Sequence, residues 1–245
     1  MTRLSVNVNK IATLRNTRDN NIPDLRRLSR VALDAGAQGI TIHPRPDQRH
    51  IRTSDIDPLW ELVREFPTAE FNMEGNPFHG HFIEQVCRVV PHQATLVPDA
   101  LAQKTSDHGW RVKQNKDRLS EVVSRLHGAG VRVSLFMDHD STEFELARSI
   151  GVDRVELYTE PYATSFARGD RSIIDSFATA AGHAQICGMG VNAGHDLNLF
   201  NLSHFLRGVP GVLEVSIGHA LIADAIEYGM FSAVRRYLDA CESGH

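Results

Sequence analysis

The sequence predicts an α/β fold of one kind, a closed (β/α)8 or TIM barrel, in a single domain spanning residues 1–245. Three observations carry this. Short apolar strands recur eight times, helical patterns separate them, and polar residues collect at the strands' carboxyl ends. A length of 245 residues suits one barrel and can bury a large core without disulfides or metal. No Pro/Gly/Ser linker, low-complexity stretch or long charge run marks a domain boundary.

The strands are read at Leu4–Lys10, Gly39–Pro44, Glu70–Gly75, Gln93–Pro98, Arg132–Asp138, Arg154–Thr159, Gln185–Asn192 and Leu213–Gly218. Helical patterns between them include Asp24–Ala35, Phe78–Val90, Arg118–Ala129, Thr142–Ile150, Ser172–Ala181, Leu199–Leu206 and Ala220–Cys241. Several helices stop at glycine just before a strand, as in AGAQGITI, AGVRVSL and IGVDRVEL. The rival, an open doubly wound sheet, usually carries a glycine fingerprint after its first strand. Here that place reads NVNKIATLRN, and no GxxxxGK[ST] exists, so dinucleotide and P-loop chemistry drop out.

Strand side chains alternate with period two. Leu4, Val6 and Val8 oppose Ser5, Asn7 and Asn9; Ile40 and Ile42 oppose Thr41 and His43; Phe71 and Met73 oppose Asn72 and Glu74. Val155 and Leu157 oppose Glu156, and Leu213, Val215 and Ile217 oppose Glu214, Ser216 and Gly218. The apolar faces should meet the helices and the polar faces should line the barrel. So polar an interior is costly unless hydrogen-bonded or wet.

Composition excludes other classes. Apolar residues are 42% and charged residues 23%, which disfavours disorder, collagen and coiled coil. A net charge of −4 gives no support for nucleic-acid binding. No 18-residue apolar run crosses a membrane, and the first residues lack the apolar core of a secretory signal. Cys87, Cys187 and Cys241 make neither zinc spacing nor a disulfide framework, which suits a reducing cytoplasm. The basic residues comprise 22 Arg and only four Lys (Lys10, Lys104, Lys113 and Lys116), so any Schiff-base lysine must be one of those four.

His43, Glu74, Glu156, His195 and His219 fall at or just after strand ends, a shared acid/base site. His79, His81, His92, His127, His183, His204 and His245 read as surface or packing residues, and the HGH at 79–81 lacks a carboxylate at ligand spacing, so no metal site is expected. Arg45, Arg49 and His50, in a prolyl-stiffened loop after the second strand, suit an anionic substrate, and Arg15 and Arg18 form a second anion candidate. Gly194-His195 and Gly218-His219 let backbone N–H groups approach a phosphate, the latter at a helix N-terminus. Two anion sites with acids and bases between them fit two phosphorylated substrates, or one with two anionic ends. The long polar loop 99–116 is the candidate lid.

VNVNKIATLRNTR, GITIHPRPDQRHI, FNME, VSLFMD, VELYTEPYA, VNAGHDL and EVSIGHALI, in this order, resemble the pyridoxine 5′-phosphate synthase family over residues 4 to about 235. The resemblance implies a (β/α)8 barrel with extra helices, assembled as a homo-oligomer, an octamer built as a tetramer of dimers. It implies condensation of 1-deoxy-D-xylulose 5-phosphate with 3-amino-2-oxopropyl phosphate to pyridoxine 5′-phosphate, inorganic phosphate and water, with no metal or organic cofactor. It makes His43 and Glu74 bases, His195 the acid, and Glu156 the carboxylate that assists the transition state. It assigns Arg45, His50 and Thr105 to the deoxyxylulose phosphate, and Asn7, Arg18, Gly218 and His219 to the amino ketone phosphate.

Two departures stand out. Many family members read NIDH where this chain has Asn7-Val8-Asn9-Lys10, so Asn9 and Lys10 keep a binding role while a proton role is open. NAGHG has become NAGHD, placing Asp196 where a backbone contact to phosphate is expected; its carboxylate repels an anion unless it points away. The other readings of the same residues are a phosphosugar isomerase or aldolase on this barrel, and a barrel that binds a phosphorylated metabolite without turnover. A lysine aldolase is disfavoured because only Lys10 lies at a strand end.

Overall fold

The computed structural model describes residues 1–103 and 105–244; Lys104 and His245, both named above, lie outside the described residues. Eight parallel strands close on themselves in sequence order: β1 (Arg3–Asn7), β2 (Gly39–Ile42), β3 (Glu70–Gly75), β4 (Gln93–Leu96), β5 (Arg132–Met137), β6 (Arg154–Tyr158), β7 (Gly190–His195) and β8 (Val212–Ile217). Closure is made by β1 on β8, with Leu4 opposite Val215 and Ser5 opposite Ser216. The predicted barrel is therefore the observed one.

Eleven helices surround it among the described residues: α1 (Asn9–Arg15), α2 (Leu25–Asp34), α3 (Thr53–Arg64), α4 (Phe82–Val89), α5 (Val112–Gly128), α6 (Phe144–Ser149), α7 (Glu160–Ala167), α8 (Ile174–Ile186), α9 (Leu202–Gly208), α10 (His219–Tyr228) and α11 (Met230–Glu242). The first is a correction, because Asn9 and Lys10 open a helix and do not end the first strand. The Asn7 side chain bends the chain there, its Oδ1 accepting the Asn9 N–H at 3.1 Å. The seventh strand is also displaced from its predicted place. Gln185 and Ile186 finish α8, and the strand begins at Gly190. The long last helix is two, parted at Gly229, whose φ of +77° suits glycine and interrupts helical geometry.

The apolar faces pack outward as the alternation requires. Leu4, Val6, Ile40, Ile42, Phe71, Met73, Val155, Leu157, Val215 and Ile217 are buried in one core with the helices' apolar stripes. Leu213 is the exception; it is 42% exposed at the start of β8. Hydrogen bonds offset part of the desolvation cost of the polar faces that fill the barrel, while Glu156 and Glu214 each keep a buried carboxyl oxygen without a partner among the described residues. The Ser5 and Thr41 hydroxyls bond at 2.7 Å, Asn72 Nδ2 donates to Thr41 at 3.3 Å, and Thr95 Oγ1 donates to Asn72 Oδ1 at 3.1 Å. At the amino end Glu70 pairs with Arg3 at 2.7 Å and with Arg132, closing the base. No helix among the described residues is long and apolar enough to cross a membrane.

Candidate active site

At the opposite end, where the strands' carboxyl ends converge, lies a cavity of about 250 Å³. Its lining brings together His43, Glu74, Glu156 and His195 with Asn7, Asn9, Lys10, Arg45, His50, Thr105, Asp196, Gly218 and His219. These thirteen residues come from seven different strand ends or the loops after them. Period-two alternation and the barrel's closure suffice to gather them.

Arg18 does not join the lining. It is exposed on the turn after α1. Arg15, the other half of that anion candidate, is buried and committed. Its guanidinium forks onto Asp55 at 2.6 and 2.9 Å and also donates to the His50 carbonyl. An arginine saturated in this way braces α1 against α3 and has no fork left for a phosphate.

His43 is buried after β2, and its backbone N–H donates to Asn9 Oδ1 at 2.9 Å. Asn9 thus fixes the first residue of the loop after β2. His43 Nδ1 stands 4.0 Å from Glu74 Oε2, and its Nε2 stands 3.9 Å from Asp99 Oδ2. Burial, then Arg45 and His50, holds the imidazole well below its usual range, so the ring is kept neutral. Glu74 receives Asn7 Nδ2 at 3.3 Å. Burial, followed by the charges of Glu156 and Asp99, raises its carboxyl well above the usual range.

Glu156 sits deeper, with Oε2 buried and unpartnered among the described residues. Burial and the Glu214 charge push its carboxyl up to about 8. Burial thus favours the uncharged forms of His43, Glu74 and Glu156 on the pocket floor. Opposed shifts of this kind are what acid/base work requires.

Asp99, in the loop after β4, was missed from sequence. It is buried, pairs with Arg45 Nη2, and lies against His43. Arg45 also donates to the Gln103 carbonyl at 2.8 Å, so the guanidinium expected to grip a phosphate is partly spent on the loop. His50 lies 5.8 Å from the His43 ring, centroid to centroid; burial, then Arg45 and Lys10, lowers it to about 4.

Across the cavity His195 ends β7 with φ of +89°. Its Nε2 meets Thr105 Oγ1 at 2.5 Å, which places the loop expected to be the lid directly over the imidazole. Its Nδ1 meets Asp196 Oδ2 at 2.7 Å. The Asp196 carboxylate is thus turned onto its neighbour's ring. Gly218 caps α10, and a Cβ there would stand 3.1 Å from Asn7 Cβ, so a side chain would crowd Asn7. Its helix offers unpaired N–H groups at the mouth, suited to an anion.

A closed barrel whose strand ends gather buried carboxyls, histidines and a helix N-terminus around one cavity has the layout of a barrel enzyme. The family model described as pyridoxal phosphate biosynthesis protein PdxJ matches residues 4–243, and the chain belongs to this family. Relatives bearing the name pyridoxine 5′-phosphate synthase match nearly end to end. The one from Albidiferax ferrireducens is 50% identical over 99% of this chain and 98% of its own, and the one from Cytophaga hutchinsonii 52% identical over 97% and 98%. Among solved structures, a tryptophan synthase from M. tuberculosis aligns at TM-score 0.67 and 9% identity, covering 98% of this chain and 92% of that one. A Rubisco-like protein from Rhodopseudomonas palustris aligns at 0.60 and 10%, covering 98% and 63%. At such identities the likeness is one of fold alone.

Proposed function

We propose that the protein is a pyridoxine 5′-phosphate synthase that joins 1-deoxy-D-xylulose 5-phosphate to 3-amino-2-oxopropyl phosphate by acid/base catalysis. The observation that carries this is the opposed tuning of His43 and Glu74, 4.0 Å apart on the cavity floor, with His195 facing them. The amine adds to the ketone, the carbinolamine loses water, phosphate leaves, and an enol closes the ring with loss of further water. Each step moves one proton to or from a carbon, nitrogen or oxygen, so a neutral imidazole, protonated carboxyls and a second histidine are the needed groups.

In this scheme His43 takes protons and passes them to Glu74 and back. Glu74, held protonated by burial, serves as a base only in its ionised form, and His43 stands 4.0 Å away as a neutral partner. His195 protonates leaving hydroxyls. Glu156 stabilises developing positive charge near the floor once ionised. One phosphate docks at Gly218-His219 with Asn7, and the other near Arg45, His50 and Thr105. Lys10, exposed in the first turn of α1, sits where a helix disfavours a cation, a cost that an anionic ligand would offset.

The same proposal includes a cytoplasmic location, in keeping with three unpaired cysteines, and a homo-octamer, in keeping with exposed apolar Phe200, Ile226 and Phe231. Purified protein supplied with both phosphorylated substrates and a chelator should yield pyridoxine 5′-phosphate. Substrate binding without product would replace the synthase with a binding-only barrel. Light scattering at the mass of one chain would remove the octamer.

A further inference from the structure

His195 and Asp196 are neighbours in sequence, yet their side chains meet. In a regular strand, consecutive side chains point to opposite faces. Here the φ of +89° at His195 breaks the alternation and brings both side chains to one side. The resulting contact is 2.7 Å from Nδ1 to Oδ2. Holding a non-glycine residue in this region costs on the order of 1 kcal/mol or more, so the surroundings must impose it.

They do so through Asp196. Its backbone N–H donates to Thr159 Oγ1 at 3.4 Å, and its carbonyl accepts from Asn201 Nδ2 at 3.4 Å. Thr159 is buried and also donates to the Gly194 carbonyl, so residues 194 and 196 hang on one hydroxyl. The Tyr158 ring closes the side of the imidazole, 5.8 Å away and nearly perpendicular.

We propose that Asp196 is a positioning residue that fixes His195 in its Nδ1–H tautomer and leaves Nε2 as the single atom exchanging protons with substrate. An ionised carboxylate can only accept, so the Nδ1 it touches must carry hydrogen. Neutral His195 then presents the Nε2 lone pair, which accepts the Thr105 hydroxyl 2.5 Å away. When Nε2 gains a proton, the imidazolium forms beside a fixed anion. This is the division of labour that an oriented Asp-His pair supplies in acyl-transfer enzymes. It also explains why the carboxylate is compatible with an anion-binding mouth: its charge is directed at the ring.

The kinetic part rests on His195 being the acid of the proposed reaction; the tautomer does not. Nitrogen-15 NMR of histidine-labelled protein near pH 8, with a His195→Asn control for assignment, reads the tautomer without substrate. Wild type and Asp196→Asn should both show protonated Nδ1, since the amide oxygen still accepts. Asp196→Ala should shift His195 toward the Nε2–H form. In turnover, Asp196→Ala should lower kcat by about 100-fold with KM changed less than about threefold, and Asp196→Asn by an intermediate factor. An unchanged tautomer in Asp196→Ala overturns the proposal. So does a tautomer that shifts with kcat unchanged, or a change confined to KM, which would make Asp196 a substrate-charge filter. If wild type makes no product, the synthase assignment fails while the NMR result still decides the tautomer.

Discussion

Gly194 lies so close to Glu156 that a Cβ built on it would stand 2.8 Å from Glu156 Oε1 and 2.7 Å from the Ser216 carbonyl. Both neighbours resist. The carbonyl belongs to β8, and the carboxyl is buried against the barrel interior. Glycine here is thus a packing requirement of the floor. Gly194→Ala should cost about 1–3 kcal/mol, which in a chain of this length lowers Tm by several degrees. It should also lower kcat, because residue 194 precedes His195. Thermal unfolding and turnover check both; an unchanged Tm would mean that β7 and β8 part more easily than their register implies.

Arg45 and Asp99 are buried as a pair, and the pair bears on His43 from one side. Removing one partner strands the other's charge, a loss of about 3–5 kcal/mol. Asp99→Asn and Arg45→Ala should each be strongly destabilising, and the double variant much less so than their sum. Asp99→Asn should also weaken binding of the deoxyxylulose phosphate by re-aiming Arg45, so its KM should rise. Denaturant unfolding of the three variants in a cycle tests the coupling. Strict additivity would show that the two side chains act independently.

This pair marks the limit of what could be read in advance. The barrel and the floor residues were legible because strands impose a period of two and strand ends share one rim. Asp99 lies in the irregular loop after β4, where no period says which way a side chain points. Arg15 and Arg18 looked alike in sequence, yet one is sealed on Asp55 and the other stands exposed. The seventh strand was displaced because Gln185-Ile186-Cys187 is more apolar than the small residues of Gly190–His195 that pack inside. The break at Gly229 was hidden within 22 residues of helical pattern.

His195→Asn should abolish turnover while leaving the fold and substrate binding largely intact. Asparagine can keep a hydrogen bond toward Thr105 or Asp196 but carries no titratable proton at neutral pH. Loss of a general acid lowers kcat by about 10²–10⁴-fold. Single-turnover kinetics with both substrates would separate chemistry from release. A near wild-type rate would remove His195 from the acid role.

Protonation of the floor should shape stability against pH from both sides. Glu156 keeps its proton in the folded chain up to about 8, against 4.5 when exposed. Between those values the folded state binds the extra proton, so this contribution is fully present below about 4.5 and is lost as pH rises through 8. His50 runs the other way. Its folded value of about 4 lies below 6.5, so its contribution is present above 6.5 and is lost as pH falls through 4. The two together place the stability maximum between roughly pH 4.5 and 6.5, where their slopes cancel. Glu156→Gln replaces the ionising carboxyl with a neutral group of the same shape. It should therefore be more stable than wild type at pH 9, by on the order of 2–4 kcal/mol, and little different at pH 5. Turnover should fall at pH 9, where the wild-type carboxyl is ionised and the amide is not, and change less at pH 5. Chemical denaturation at the two pH values decides it: equal stabilisation at pH 5 and 9 would mean that the gain comes from packing and that Glu156 carries no proton linkage.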